Sequence, residues 1–223
     1  AQGMLNQTEL TIITDAIKIK AEGTIAAKEA GNTIIAENGT PEEAVNAAKT
    51  AAEAKGMTNQ SDLTTITNAI QIKAEGTIAA TIAANNKIAQ GGTQEEVIAA
   101  AKAAAEAKGM TNAADLTIIE NKVKIKVEAI ISAKIAANSI ITQEGTLEEV
   151  IAAAKTAAEA KGLTNSADLT IIEDTVKIIN EATIAAKEAA NAVIAQSGTP
   201  EEAVAAAKAA AEEKGMYNIE DLT

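Results

Sequence analysis

Residues 56–64 read GMTNQSDLT and residues 109–117 read GMTNAADLT, so one motif returns after 53 residues. Related motifs occupy residues 3–11, 162–170 and 215–223 at the same interval. A period of several tens of residues is typical of tandem repeats, in which each supersecondary unit packs on the next. The sequence therefore predicts one repeat domain over residues 1–223. Its predicted units are 3–55, 56–108, 109–161 and 162–214, with a partial cap at 215–223.

Each unit carries two helix-start signals. The motif holds an Asn with an acid three residues later, such as Asn59 and Asp62, and a Thr with a Glu three residues later follows, such as Thr93 and Glu96. Both patterns are typical of N-caps. The second helix of each unit ends in Lys before a Gly suited to a left-handed C-cap. One unit is thus predicted to be a helix of about 31 residues, a Gly-Thr turn, and a helix of about 15 residues.

The first half of the long segment also has strand-like features. Residues 120–127 (ENKVKIKV) alternate apolar and polar side chains, and Ile, Val and Thr are frequent. Three rows of residues at spacings of three, four and seven instead favour a helix that is buried on two sides. The alternatives are therefore a continuous helix, a helix that breaks near Asp15, Asn68, Asn121 or Asp174, and a strand-containing unit.

The two ends of the sequence distinguish an open stack of repeats from a closed ring. Residues 3–11 and 215–223 are equivalent parts of the unit, so in a ring both would compete for one place. We therefore expect an all-α, open α-solenoid of four helix-turn-helix repeats.

The middle units are less polar than the end units. Ile82 and Ile135 occupy the position that Glu29 and Glu188 hold in the end units. This difference predicts that the end units act as caps.

The composition excludes several kinds of chemistry. The chain has no His, Cys, Phe or Trp, and Tyr217 is its single aromatic residue, so we expect a core of Ala, Ile and Val without disulfides, thiolate nucleophiles or imidazole metal ligands. A formal charge of −12 opposes binding to nucleic acid. No signal peptide, membrane span, phosphate loop or nucleophile elbow is visible. We therefore expect a soluble protein that is not an enzyme and that has no catalytic, cofactor-binding or metal-binding residues. Its composition is compatible with the cytoplasm, but the sequence does not specify a location.

Three polar positions recur in every unit. The glutamates could line up to bind cations, but Lys18, Lys124 and Lys177 precede three of them by four residues and favour ordinary ion pairs. The asparagines are expected to fix register between units within an apolar core. The threonines could form a hydroxyl row, loosely similar to alanine-rich helical antifreeze proteins, but Glu22 interrupts that pattern. The sets are Glu22, Glu75, Glu128 and Glu181; Asn32, Asn85, Asn138 and Asn191; and Thr11, Thr64, Thr117 and Thr170.

The regular connectors carry a family resemblance. GTPEE at residues 39–43 and 198–202, GMTN at 56–59 and 109–112, and helices ending in Lys-Gly resemble the connectors of computationally designed helical repeat proteins. The resemblance implies a structural scaffold without a natural biochemical activity or an evident partner.

Variation between the units suggests an alternative function. The exposed half of the long helices would form a groove that binds a peptide or small molecule, and self-association through the same apolar surface is a third reading. The varied positions that motivate the groove are Lys28, Thr81, Lys134 and Lys187, and Ala21, Ala74, Val127 and Asn180.

Overall fold

The computed structural model describes residues 6–216, and within that range it contains eight α-helices and no strand. Long helices of 30 residues alternate with short helices of 13 or 14 residues. The long helices are α1 (Gln7–Ala36), α3 (Gln60–Ala89), α5 (Ala113–Thr142) and α7 (Ser166–Ala195). The short helices are α2 (Pro41–Ala54), α4 (Gln94–Ala107), α6 (Leu147–Glu159) and α8 (Pro200–Glu213).

The predicted helical-repeat class is therefore confirmed, with a long and a short helix in each repeat. The strand alternative for residues 120–127 is wrong, because they lie inside α5. No long helix is interrupted at Asp15, Asn68, Asn121 or Asp174. The rows at helical spacing outweighed the local β-propensity, as the tertiary context of a packed helix allows.

All four short helices begin with the predicted capping box. The Glu43 backbone N–H donates to Thr40 Oγ1 at 3.2 Å, and the Thr40 N–H donates to Glu43 Oε2 at 2.8 Å. Hydrogen bonds from the Thr40 backbone and hydroxyl hold the pKa of the Glu43 carboxyl below its ordinary value, and Thr146 does the same for Glu149. The pairs are Thr40–Glu43, Thr93–Glu96, Thr146–Glu149 and Thr199–Glu202.

The helix ends follow the predicted C-cap geometry. Gly56 lies at a φ of 84°, its N–H donates to Glu53 O at 2.8 Å, and the Met57 N–H donates to Ala52 O at 3.2 Å. This pair of bonds is the Schellman motif, which the left-handed conformation of glycine allows. After the long helices the left-handed position is a glycine in the second repeat only, Gly91. The other repeats place Asn38, Glu144 and Ser197 there.

The chain divides into two compact units at the Glu120–Asn121 bond within α5. In the first unit α1 packs on α2, α2 on α3, α3 on α4, and α1 also contacts α3. In the second unit α6 packs on α7 and α7 on α8. Both cores are aliphatic and rich in alanine, as expected, with Ala48, Met57 and Ile70 in the first and Val150 and Val176 in the second. The assignment of the whole chain to one repeat domain stays a prediction.

Burial on two sides is confirmed for α3. Its N-terminal half buries Leu63, Ile66 and Ile70 in the core shared with α1 and α2, and its C-terminal half buries Gly76 and Ala80. A Cβ on Gly76 would meet Met110 and approach the Ala105 carbonyl of α4. The two apolar rows therefore serve different neighbours at the two ends of one helix.

The same prediction is wrong for the first half of α1. Residues 7–22 are all exposed, because no described element covers them. Leu10, Ile13 and Ile17 are 49%, 42% and 63% exposed, although their sequence pattern matches that of α3.

The isoleucines that distinguish the middle units from the end units are exposed. Ile82 is 56% exposed and Ile135 is 67% exposed, so apolar identity at this position does not report burial. Val97 and Val150, which replace alanine in the end units, are fully buried. The comparison of residues 3–11 with 215–223 lies partly outside the described residues, so the open form of the array stays a prediction.

Candidate functional site

A groove of about 600 Å³ lies between α1, α3 and the start of α5. The α1 wall is a row of residues four apart, which places them on one helix face. The α3 wall supplies the apolar floor, which includes Ile66, Ala69 and Ile70. The α1 row is Lys20, Thr24, Lys28 and Asn32, and Asn112 and Asp115 close the side toward α5.

The groove opens beside two small side chains of α3, of which Thr65 departs from the repeat, since the other three repeats have Ile at that position. Thr65 and Ala69 line it, whereas the equivalent positions are Ile118 and Lys122 in the next repeat. Two small side chains thus leave room that an isoleucine and a lysine would fill. Neither position stood out as a candidate site residue, and the available signal was Thr65, a Thr where the other three repeats have Ile.

Ion pairs tie the groove walls together. Lys20 Nζ lies 2.6 Å from Asp62 Oδ1, and Lys73 Nζ lies 2.7 Å from Asp115 Oδ1. The same pair occurs in the second compact unit, where Lys126 Nζ lies 2.5 Å from Asp168 Oδ1. In each case the Lys precedes its partner by 42 residues, so the start of one long helix is joined to the long helix of the preceding repeat.

These ion pairs correct the interpretation of the acids as capping-box residues. The Asp62 backbone N–H does donate to Asn59 Oδ1 at 3.1 Å, as predicted, but the Asp62 carboxylate binds Lys20. The reciprocal cap forms in α1 alone among the long helices with a described cap, where the Asn6 N–H donates to Glu9 Oε2 at 2.9 Å. Asp is one methylene shorter than Glu, the residue that normally closes this cap. A Lys repeated every 53 residues, at Lys20, Lys73 and Lys126, was the missed signal.

The exposure of the lysine side chain falls along this series. It is 62% for Lys20, 20% for Lys73 and 10% for Lys126, while the carboxylates stay near 25%. An ion pair contributes more, and costs more to break, as water is excluded from it. Breaking the Lys126–Asp168 pair therefore leaves a more poorly hydrated charge than breaking either of the other two pairs.

Lys28 differs from the other two lysines of the groove. It is exposed and makes no ion pair with any residue in the range 6–216. Because Asp62 and Asp115 neutralise Lys20 and Lys73, Lys28 is the uncompensated charge of the groove.

A second set of ion pairs joins a short helix to the long helix that follows it. Lys102 Nζ lies 3.0 Å from Glu120 Oε2, and Lys155 Nζ lies 3.3 Å from Glu173 Oε2. Lys177 and Lys155 together hold the pKa of the Glu173 carboxyl below its ordinary value, and Glu173 raises the pKa of Lys177. Glu173 and Lys177 both lie at the surface, so we assign these ion pairs a structural role.

The recurring glutamates do not converge on a cation site. Lys18 Nζ lies 3.9 Å from Glu22 Oε1, as the ion-pair interpretation predicted, and Gln71 donates to Glu75. Lys177 instead pairs with Glu173 and Asp174. Among residues 6–216 no group of three or more acidic side chains could hold a metal ion.

The expected placement of the asparagine row is wrong. Asn32 and Asn191 are exposed, and Asn85 and Asn138 are half-buried, so none lies within an apolar core. Of the four, Asn32 lines the groove.

The threonine row is exposed in every repeat. Each hydroxyl donates to the carbonyl of its own helix four residues earlier, as Thr11 does to Gln7 O at 2.9 Å. The equivalent donors are Thr64, Thr117 and Thr170.

The varied positions separate into two groups. Lys28 lines the groove, whereas Ala74, Val127 and Asn180 are buried in helix packing. Packing therefore accounts for the variation in the second set, and only the first set bears on ligand binding.

No helix within residues 6–216 combines the length and apolarity needed to cross a membrane. No protein family, curated protein or solved structure matches the chain. Its class therefore rests on the fold: the alternation of capped long and short helices at a 53-residue period defines an α-helical repeat protein.

Proposed function

We propose that the chain is a designed structural scaffold whose residues serve its own architecture. The observation that carries this proposal is the use of the recurring polar side chains. The Thr–Glu and Asn positions cap helices, and the Lys–Asp positions join successive long helices. Agreement of caps, turns and packing across most of the repeats is the property expected when a sequence serves its backbone.

Removal of one whole repeat tests this proposal. Deleting residues 56–108 joins Lys55 to Gly109 and preserves the Lys-Gly-Met connector. Because the units of a tandem repeat generally pack on their neighbours, the shortened chain should stay helical and unfold cooperatively at a lower temperature. Circular dichroism during heating measures both properties.

A matched deletion gives the control. Removing residues 56–92 takes away α3 but keeps α4, so two short helices would follow one another and the shortened chain should lose helicity. If the whole-repeat deletion also loses its helicity, or if a natural metabolite binds the full chain tightly, the scaffold proposal is wrong.

The groove supports a second candidate function, a binding module. The favouring observation is that the groove is lined by Thr65 and Ala69, where the next repeat has Ile118 and Lys122, and by Lys28, which lacks an ion partner among the described residues. Its volume of about 600 Å³ is that of a small-molecule site. A saturable ligand should lose affinity when T65I/A69K fills the groove with the residues of the next repeat.

A further inference from the structure

We propose that the groove between α1 and α3 binds an amphipathic organic anion, namely a carboxylate on an unbranched aliphatic chain. This inference rests on the second candidate function, the binding module. It assigns the chemical class of the ligand from the floor, the charge and the shape of the groove.

The floor favours an aliphatic body. Ile66 and Ile70 form it with 9% and 3% of their surface exposed, and Ala69 leaves the space above them open. Because Ile66 and Ile70 are already almost fully buried, the floor surface that a ligand can cover is mainly that of the exposed Ala69, and it offers no ring on which an aromatic ligand could stack. A flexible alkyl chain can follow such a floor between two helices.

The α1 wall favours an anionic head. Lys20 and Lys73 are neutralised by carboxylates at 2.6 Å and 2.7 Å, whereas Lys28 is not neutralised by any described residue. The Asn32 side chain, one turn further along the same row, adds amide donors. A carboxylate placed at Lys28 would receive a charge-assisted hydrogen bond with a donor beside it.

The net charge of the chain also bears on which ligands the groove would bind. The whole chain carries a formal charge of −12, so its surface as a whole repels anions. The charged groups that line the groove are three lysines and two aspartates, which leaves a net positive charge there. The groove should therefore favour an anion over a cation with the same tail.

Three eight-carbon probes test the head group at constant tail. Octanoate, octanol and octyltrimethylammonium are titrated into the intact chain while the backbone amide signals of α1 and α3 are followed by NMR. We expect octanoate to bind saturably at one site, with shifts near Lys28 and Ala69, and the other two probes to bind at least fivefold more weakly.

Three variants and a control locate the site. K28Q should weaken octanoate binding about two- to fivefold, as expected for an exposed ion pair. T65I/A69K should weaken octanoate binding at least tenfold because the isoleucine and the lysine stem fill the cavity, and T65I/A69M, which fills it without adding a charge, should weaken it to the same extent. K187Q removes the equivalent lysine of the last repeat, which is exposed, and should leave octanoate binding unchanged.

The outcomes separate the ligand class from the binding function. If octyltrimethylammonium or octanol binds as well as octanoate and T65I/A69K abolishes that binding, the groove is a binding site but the anion proposal is overturned. If no probe gives an effect that depends on T65I/A69K, both are overturned. If sedimentation shows a dimer that T65I/A69K dissociates, a second copy occupies the groove and the anion proposal again fails.

Discussion

The N-terminal halves of α1 and α3 have nearly the same apolar pattern and opposite environments. Ile13 and Ile17 in α1 are 42% and 63% exposed, while the equivalent Ile66 and Ile70 in α3 are 9% and 3% exposed. The helices have the same length. The difference is that α1 and α2 precede α3 and pack on it. Burial at these positions therefore comes from the preceding hairpin rather than from the helix that carries the residues.

Truncation of the matched isoleucines should give the largest contrast. I70A should lower the free energy of unfolding by about 2–4 kcal/mol, because it leaves a cavity in the core. I17A should change it by less than about 0.5 kcal/mol, because the side chain is already exposed to water. Urea unfolding followed by circular dichroism measures both values.

Equal losses of unfolding free energy for I70A and I17A would contradict the difference in burial between the two positions. Such a result would mean that the first half of α1 is covered in solution, and sedimentation of the parent chain would then show self-association.

A glycine of α1 accommodates the buried isoleucine of α3. A Cβ on Gly31 would lie 2.9 Å from Ile70 Cγ2. In the second compact unit the equivalent residues are Ala137 and Val176, which share one core. We expect G31A to cost about 1–2 kcal/mol from overpacking despite the higher helix propensity of Ala.

The double variant G31A/I70V should recover most of that loss, since it reproduces the alanine–valine pair. The coupling energy from a double-mutant cycle should be about 1 kcal/mol or more. A strictly additive cycle would show that Gly31 and Ile70 do not share the space between α1 and α3.

Of the two ion pairs of the groove, the less exposed pair should contribute more to stability, as the less exposed isoleucine does. Lys73 is 20% exposed and Lys20 is 62% exposed, with similar carboxylate partners. K73M should cost about 1–2 kcal/mol, because Asp115 loses its partner in a partly dry site. K20M should cost less than about 1 kcal/mol.

Thermal unfolding at low and high salt distinguishes these contributions. The K20M effect should shrink as salt rises, whereas most of the K73M effect should remain. The reverse order of the two costs would contradict the exposure series.

The N-caps should give the smallest contrast. N59A should lower the unfolding free energy by about 1 kcal/mol, since it removes the acceptor for the Asp62 N–H from a helix start that is packed on α1. N6A removes the equivalent cap from an exposed helix start, so it should speed amide exchange in the first turns of α1 with little effect on the midpoint. A global loss from N6A as large as that from N59A would be inconsistent with an uncovered α1.

Local signals made much of this fold predictable. Thr40 and Glu43, or Gly56 and Met57, interact within a few residues of one another, so their roles can be read from spacing. The helix boundaries accordingly agree with the sequence prediction to within one or two residues.

Features that depend on distant neighbours were harder to predict. Lys20 and Asp62 lie 42 residues apart, and Asp62 has a local explanation as a cap that concealed its second partner. The exposure of Ile17 and Ile82 depends on what packs beside them, which apolar identity alone does not determine. The groove depends on the small size of Thr65 and Ala69, whose equivalents in the next repeat are Ile118 and Lys122, and it forms where α1 lies against α3.

The pairing of Lys20 with Asp62 and of Lys73 with Asp115 also follows the order in which the chain is synthesised. In each pair the lysine belongs to the earlier repeat and the aspartate to the beginning of the later one. During synthesis, the lysine side chain would be in place before the ribosome releases the helix start that it holds. Each completed hairpin would then act as a template for the next helix, so the protein could assemble in the order in which it is made, without waiting for its C-terminal end.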